Sequence, residues 1–260
     1  MVLQYANDGN LREYLKANFP KLLWVDKLRI AKEIVLGLLF LHNNDVIHRD
    51  LENLNELTKA LSKNSTLTSL SLLNNNLGPE EIKPLADALC NNSTLTSSNL
   101  YHNNHGSEGG KALADAFCKN STLKKLNLGY NDIGTEGEKA LADALCKNFT
   151  LTSLDLNANK LEGKELANAL CKNSTLKELN LSYNDLRRSE GAKALADALC
   201  KNSTLTSLNL RGNRLGPEEG KALADALCKN STLTSLNLSD NYLKSEGGKA
   251  LAYALCRNST

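Results

Sequence analysis

Four groups of residues in this 260-residue chain are of types that do chemistry. The first is the run Val46-Ile47-His48-Arg49-Asp50-Leu51, with Asn55 four residues after Leu51. It sets an imidazole, a guanidinium and a carboxylate side by side, with a carboxamide following. The second is the set of seven cysteines, Cys90, Cys118, Cys146, Cys171, Cys200, Cys228 and Cys256. Each falls at the same place near the end of a helical pattern. Disulfide scaffolds are not spaced this way, and no C-x-x-C pair offers a metal site. The residues read as small buried apolar groups, and free thiols of that kind fit a reducing compartment. The third is His102 with His105, near Asn103 and Asn104. No cysteine or carboxylate cluster completes a metal site there, and both histidines read as turn residues. The fourth is a series of N-x-S/T sequons at Asn64, Asn92, Asn120, Asn148, Asn173, Asn202, Asn230 and Asn258. Glycosylation needs secretion, and the residues after Met1 lack the basic and apolar regions of a signal peptide. These Asn-Ser-Thr runs therefore read as helix ends leading into strands.

The first group resembles the catalytic loop of protein kinases, H-R-D-L-x-x-x-N. The similarity extends upstream. Leu3-Gln4-Tyr5-Ala6 resembles the hinge strand, Gly9-Asn10-Leu11 the start of the short helix after it, and Trp24 to His42 the long helix before the loop. That resemblance implies Asp50 as catalytic base, Asn55 as a magnesium ligand, Arg49 as partner of an activation-loop phosphate and His48 as a structural residue. ATP and magnesium are cofactors only on this reading; otherwise none is expected. Phosphoryl transfer also requires a Gly-rich loop, a strand lysine and its glutamate partner, and these would lie before Met1. No D-F-G or A-P-E follows Asn55. Residues 1–50 are therefore expected to be an inactive, partial kinase-like segment. It would be helical and would cap a set of repeats that begins at Leu51, with Trp24 to Leu41 packing on the first repeat helix. Leu54, Leu57, Ala60 and Leu61 already read as that repeat helix.

The elements that position everything else are these repeats. From Ser203 to Asn230 the chain reads S-T-L-T-S-L-N-L-R-G-N-R-L-G-P-E-E-G-K-A-L-A-D-A-L-C-K-N. Alternating Leu205, Leu208 and Leu210 suit a strand with one buried face, and Leu223, Ala224, Leu227 and Cys228 suit a helix. Variants fill residues 51–260, with starts at Leu67, Leu95, Leu123, Leu151, Leu176, Leu205 and Leu233 spaced 28, 28, 28, 25, 29 and 28 apart. Periods of 20–50 residues indicate a solenoid. The short unit loses residues between Asn159 and Cys171, which predicts a trimmed helix or a tighter turn. Asn75, Asn103, Asn131, Asn159, Asn184, Asn213 and Asn241 follow the strands, where a stacked carboxamide can satisfy the turn backbone. Ser107, Thr135, Ser189 and Ser245 are expected as helix N-caps, Thr135 with Glu138 at capping-box spacing. Gly78-Pro79 and Gly216-Pro217 start two helices with proline in the first turn. Asn120, Asn202 and Asn230 are expected as left-handed C-caps.

This pattern resembles the leucine-rich repeat of the ribonuclease-inhibitor-like type. The resemblance implies an α/β horseshoe with parallel strands on the concave face, helices on the convex face, and protein binding on the strands. Ribonuclease inhibition is a further possibility for such a fold. Strand positions facing outward are mostly small and polar, among them Thr68, Ser69, Ser71, Thr206, Ser207 and Asn209. Interface hot spots favour tyrosine and arginine, so the binding candidates are Tyr101, Tyr130, Tyr183 and Arg211, with Lys124, Lys125, Asp155, Lys177 and Glu178 adding charge. The net charge of +2 with interspersed signs argues against a nucleic-acid or membrane-surface role. Ile34 to Leu41 is too short to span a bilayer. A cytoplasmic scaffold is the expectation, and both ends of the chain look cut, as in a partial gene product. Repeat two departs from the pattern: Ser98 replaces a strand leucine and His105 the last one. It is expected to be the softest of the array.

Overall fold

The computed structural model describes residues 54–187 and 190–258, with Pro20, Lys21, Leu23 and Val25 before them. The expected elements between residues 2 and 50, including Asp50 and Arg49, lie outside the described residues, as does Ser189. The repeats fall within one compact unit, Arg49–Thr260.

Strands and helices alternate: α1 (Leu54–Lys63), β1 (Ser69–Ser71), α2 (Pro79–Asn91), β2 (Ser97–Asn99), α3 (Gly106–Lys119), β3 (Lys125–Asn127), α4 (Gly134–Leu145), β4 (Ser153–Asp155), α5 (Lys164–Leu170), β5 (Glu178–Asn180), α6 (Gly191–Leu199), β6 (Ser207–Asn209), α7 (Pro217–Leu227), β7 (Ser235–Asn237) and α8 (Lys244–Arg257). The seven strands form one parallel sheet in chain order, each paired in register with the same positions of the next repeat. Each helix packs on the next. One leucine and alanine core runs the length of the array. Leu123, Leu126, Leu128, Leu141 and Leu145 fill it in repeat three, and Leu205, Leu208, Leu210, Leu223 and Leu227 in repeat six.

Two columns of asparagine tie the repeats together. In the turn after each strand, Asn131 Oδ1 accepts from Asn103 N at 2.7 Å, while Nδ2 donates to Leu100 O, Leu128 O and Gly129 O at 2.9–3.0 Å. Asn103, Asn184, Asn213 and Asn241 make corresponding bonds. At the end of each helix, Asn120 Oδ1 accepts from Thr122 N and Leu123 N, and Nδ2 reaches back to Leu89 O at 2.7 Å and Asn92 O at 3.0 Å. Asn92, Asn148, Asn173, Asn202 and Asn230 repeat this. A carboxamide both donates and accepts, so each column satisfies buried backbone groups of two repeats at once.

Several local expectations are corrected. The helix-end asparagines are not left-handed: Asn120 has φ −68° and ψ 131°. They turn inward from an extended backbone, because their side chains serve the preceding repeat. That burial also removes the six sequon asparagines from Asn92 to Asn230 from the surface. The cysteines are not buried: Cys171, Cys228 and Cys256 are exposed and the other four half-buried, all unpaired thiols. The asparagine two residues on takes the interior place and leaves each cysteine at the edge of the apolar stripe. Ser107, Thr135 and Ser245 lie inside their helices rather than capping them. The chain enters α3 and α4 through left-handed Gly106 (φ 63°) and Gly134 (φ 63°), so the helix begins one residue early.

Glu138 does not close a capping box with Thr135. It is 2% exposed, and its carboxylate accepts from Glu162 N at 2.8 Å, Gly163 N at 3.1 Å and Leu166 N at 3.4 Å. Those are donors at the start of the next repeat's helix. The trimmed helix predicted for the short unit is present: α5 has seven residues against 12 in α4. Glu138 supplies from the neighbouring repeat the cap that the deletion removed. Burial raises its carboxyl above the ordinary range, and the backbone N–H groups counter that.

Candidate functional site

The turns that follow the strands carry the large side chains of this surface. Aligned by register, one column reads Leu73, Tyr101, Gly129, Asn157, Ser182, Arg211 and Ser239. The next reads Asn74, His102, Tyr130, Ala158, Tyr183, Gly212 and Asp240. Residues of the second column adopt left-handed backbone, from 52° at Ala158 to 69° at Gly212. That conformation lifts their side chains out of the ladder turn toward solvent.

Two clusters result. In the first, the rings of Tyr101, His102 and Tyr130 meet with centroids 6.1 Å (Tyr101–His102), 5.5 Å (Tyr101–Tyr130) and 5.7 Å (His102–Tyr130) apart. Tyr101 is half-buried, Tyr130 is 49% exposed, and Asn157 bonds the Tyr101 hydroxyl from two repeats away. Burial, then the Tyr130 hydroxyl and Asp155, hold the Tyr101 phenol above its ordinary pKa. In the second, the Arg211 guanidinium lies 5.4 Å from the Tyr183 ring centroid, and its Nε donates to Asp240 Oδ2 at 2.7 Å. Tyr183 Oη donates to the same oxygen at 3.3 Å. The Arg211 bond holds the Asp240 carboxyl below the usual range and raises the guanidinium in turn.

Both clusters use one device. A tyrosine leans across a glycine of the next repeat to a polar partner two repeats on. A Cβ on Gly129 would stand 2.9 Å from Tyr101 Cδ2, and one on Gly212 would stand 2.5 Å from Tyr183 Cδ1. Neither tyrosine could hold its position over an alanine.

The strand charges are spread more widely. Lys124 and Lys125 sit on repeat three and Lys177 and Glu178 on repeat five, all exposed. Ser153 of β4 lies between Lys125 and Glu178 in register, so the two do not pair directly. Asp155 instead accepts from Asn180 Nδ2 at 2.9 Å. Asn55 falls on the backbone of α1, within the first repeat helix. His102 and Asp240 were not among the expected binding residues. Their signal was their place in the same column as Tyr130 and Tyr183, visible only once the repeats are aligned. His105 is not a turn residue: it is fully buried, its Nδ1 2.9 Å from Leu77 O, with its pKa pushed down to about 4 by burial. Among the described residues no group of histidine, cysteine and carboxylate side chains could hold a metal ion, and no helix is long and apolar enough to cross a membrane.

The repeats match two leucine-rich-repeat family models, the TMOD/LMOD leucine-rich domain over residues 38–165 and the leucine-rich repeat over 172–196, 201–224 and 229–252. The protein tyrosine and serine/threonine kinase model matches residues 1–70. LIM domain kinase 1 of Drosophila melanogaster is 36% identical over 59 residues, 23% of this chain and 5% of that protein. The chain thus spans a small fraction of that kinase. Among solved structures, the leucine-rich repeat-containing protein LegL7 of Legionella pneumophila is 25% identical, with 77% of this chain and 76% of that chain covered and a TM-score of 0.46. Leiomodin-1 actin-binding site 2 is 19% identical, covers 78% of this chain and 87% of its own, and has a TM-score of 0.38. The chain is a leucine-rich-repeat protein that carries, within its first 70 residues, a fragment similar to protein kinases.

Proposed function

We propose that the chain is a non-enzymatic scaffold that binds a partner protein on the strand face and on the turn rim beside it. The observation that supports this is the pair of tyrosine-over-glycine clusters. Each holds rigid, half-exposed aromatic surface in a fixed place, with a guanidinium or imidazole beside it. Rigid aromatics next to arginine are the groups that dominate protein interfaces, since little side-chain entropy is lost when they are covered. The mixed charges of Lys124, Lys125, Asp155, Lys177 and Glu178 would orient the partner rather than hold it. A cytoplasmic setting belongs to this reading, and nucleic acid does not. The test is capture of partners from cell extract by the immobilised chain, compared with a Tyr130→Ala, Tyr183→Ala, Arg211→Ala variant. Loss of a saturable partner from the variant is expected. Unchanged capture of every partner would remove this surface from the account.

The kinase match favours a second reading, nucleotide binding by the segment that holds Arg49, Asp50 and Asn55. It would need ATP and magnesium. A Mg-ATP-dependent rise in Tm that Asp50→Ala abolishes would support it; no rise at millimolar nucleotide would end it.

A further inference from the structure

The two rim clusters share one plan, and only the second completes it. There Tyr183 crosses Gly212 and carries the Arg211 guanidinium 5.4 Å from its ring centroid. A carboxylate closes the arrangement: Asp240 Oδ2 accepts from Arg211 Nε at 2.7 Å and from Tyr183 Oη at 3.3 Å. Ring, cation and anion all come from the chain itself. In the first cluster Tyr101 crosses Gly129 in the same way, with Tyr130 and His102 beside it. That cluster has rings and an anion but no cation.

The three rings are inclined to one another by 50°, 70° and 71°, so no two are stacked face to face. Their centroids are 5.5–6.1 Å apart. Three ring walls set at right angles, each about 4 Å from a common point, have centroids about 6 Å apart, and a cation is attracted from within about 6 Å of a ring. Tyr130 and His102 are both exposed. The anion is Asp155, close enough to act on the Tyr101 phenol. It pairs in register with Asn127 and lies two residues before Asn157, on the same face of the sheet. Its Oδ1 accepts from Asn157 N and its Oδ2 from Asn180 Nδ2, each at 2.9 Å, and both donors are neutral. Among the described residues no lysine or arginine forms an ion pair with it. The neighbouring cations are placed elsewhere. Lys160 pairs with Asp132. Lys124 and Lys125 stand at the far end of the strand, Lys125 about 13 Å before Gly129.

We propose that Tyr101, His102, Tyr130 and Asp155 seat one arginine side chain of the partner protein, an inference that rests on the rim being a binding surface. The incoming guanidinium would play the part that Arg211 plays in the second cluster. Its plane would lie against a tyrosine ring and its N–H groups would face the Asp155 carboxylate. Arginine suits this better than lysine, because a planar guanidinium can cover a ring and donate from its edge at once. Lys124 and Lys125 would repel the same side chain, so they favour one orientation, with the arginine toward the rim.

Nuclear magnetic resonance titration of the full chain tests this with two probes, an acetylated and amidated Gly-Arg-Gly peptide and its citrulline counterpart, which has the same shape without the charge. The arginine peptide should shift the His102 ring resonances saturably, and the citrulline peptide should bind at least about tenfold more weakly. Tyr130→Phe should keep the affinity within about twofold, while Tyr130→Ala and Asp155→Asn should each weaken it about fivefold. Tyr183→Ala should leave it unchanged. Circular dichroism checks that each variant stays folded. No saturable shift, equal binding of the two peptides, or an affinity that Tyr130→Ala leaves intact overturns the proposal. If Tyr130→Ala abolishes capture of a partner from extract while the arginine peptide does not bind, the binding surface stands and the arginine seat falls.

Discussion

Repeats two and three are built on the same frame and filled differently. Their strands pair in register, Ser98 opposite Leu126, and both contribute to the two asparagine ladders with near-identical bonds. The difference lies in two buried positions. Repeat three places Leu126 and Ile133 where repeat two has Ser98 and His105, all 3% exposed or less. The Ser98 hydroxyl and His105 Nε2 are buried without a hydrogen-bond partner. A cavity of about 10 Å³ also remains beside Phe117, between Leu89, Leu123 and Leu126. The ladder thus fixes the path of the chain whatever fills the core, while the filling sets how firmly each repeat holds. Repeat two also carries Tyr101 and His102 of the first rim cluster. The repeat expected to be the softer therefore underlies part of the proposed binding surface.

The largest expected effect is common to both repeats. Asn131→Ala leaves Asn103 N without its acceptor and takes one of two carboxamide donors from Leu100 O and from Leu128 O, which keep Asn103 Nδ2 and Asn159 Nδ2. At about 1–3 kcal/mol for the buried orphan and about 1 kcal/mol for each lost hydrogen bond, the loss should be roughly 3–5 kcal/mol in urea unfolding. Asn103→Ala should cost about as much; a large gap between them would mean the ladder is not shared. Leu126→Ser should then make repeat three resemble repeat two, at about 2–5 kcal/mol.

A pH series separates the repeats next. The folded His105 pKa lies at about 4, below its unfolded value of 6.5. The folded state thus favours the neutral ring, so its contribution is full above pH 6.5 and is lost as pH falls toward 4, on the order of 2–3 kcal/mol. His105→Leu should flatten that dependence in thermal melts at pH 4 to 7. Ser98→Leu should raise stability by about 1–2 kcal/mol, the reward for covering one orphan and adding apolar volume. A loss instead would show that Phe117 already fills the space. The smallest effects belong to the rim. Tyr130→Ala should change stability by under about 1 kcal/mol, since its ring is half exposed. Gly212→Ala should cost more, because it strains a φ of 69° and displaces Tyr183.

The repeat length, the strand leucines and the shortened α5 were legible because hydrophobic period and spacing encode them directly. What escaped was mostly hydrogen bonding between repeats. The column that holds Asn120 looks, in one repeat, like a helix end. Only the neighbouring carbonyls of Leu89 and Asn92 give it a buried role. Glu138 looks like a local cap for Thr135, yet serves a helix 24 or more residues away. The cysteines were misplaced because Leu-Cys at a helix end reads as two apolar residues, and the inward turn of the next asparagine is not written in their own type. The rim clusters were half visible. Tyr101, Tyr130, Tyr183 and Arg211 stand out by type, whereas His102, Asp240 and the glycines beneath the rings emerge from register.

Hydrogen exchange of the full chain followed peptide by peptide tests the comparison most directly. Amides of residues 95–118 should exchange faster than those of 123–146, because the same ladder there encloses two buried orphans. Equal protection of the two repeats would contradict the account, and with it the claim that the core filling rather than the ladder sets local stability.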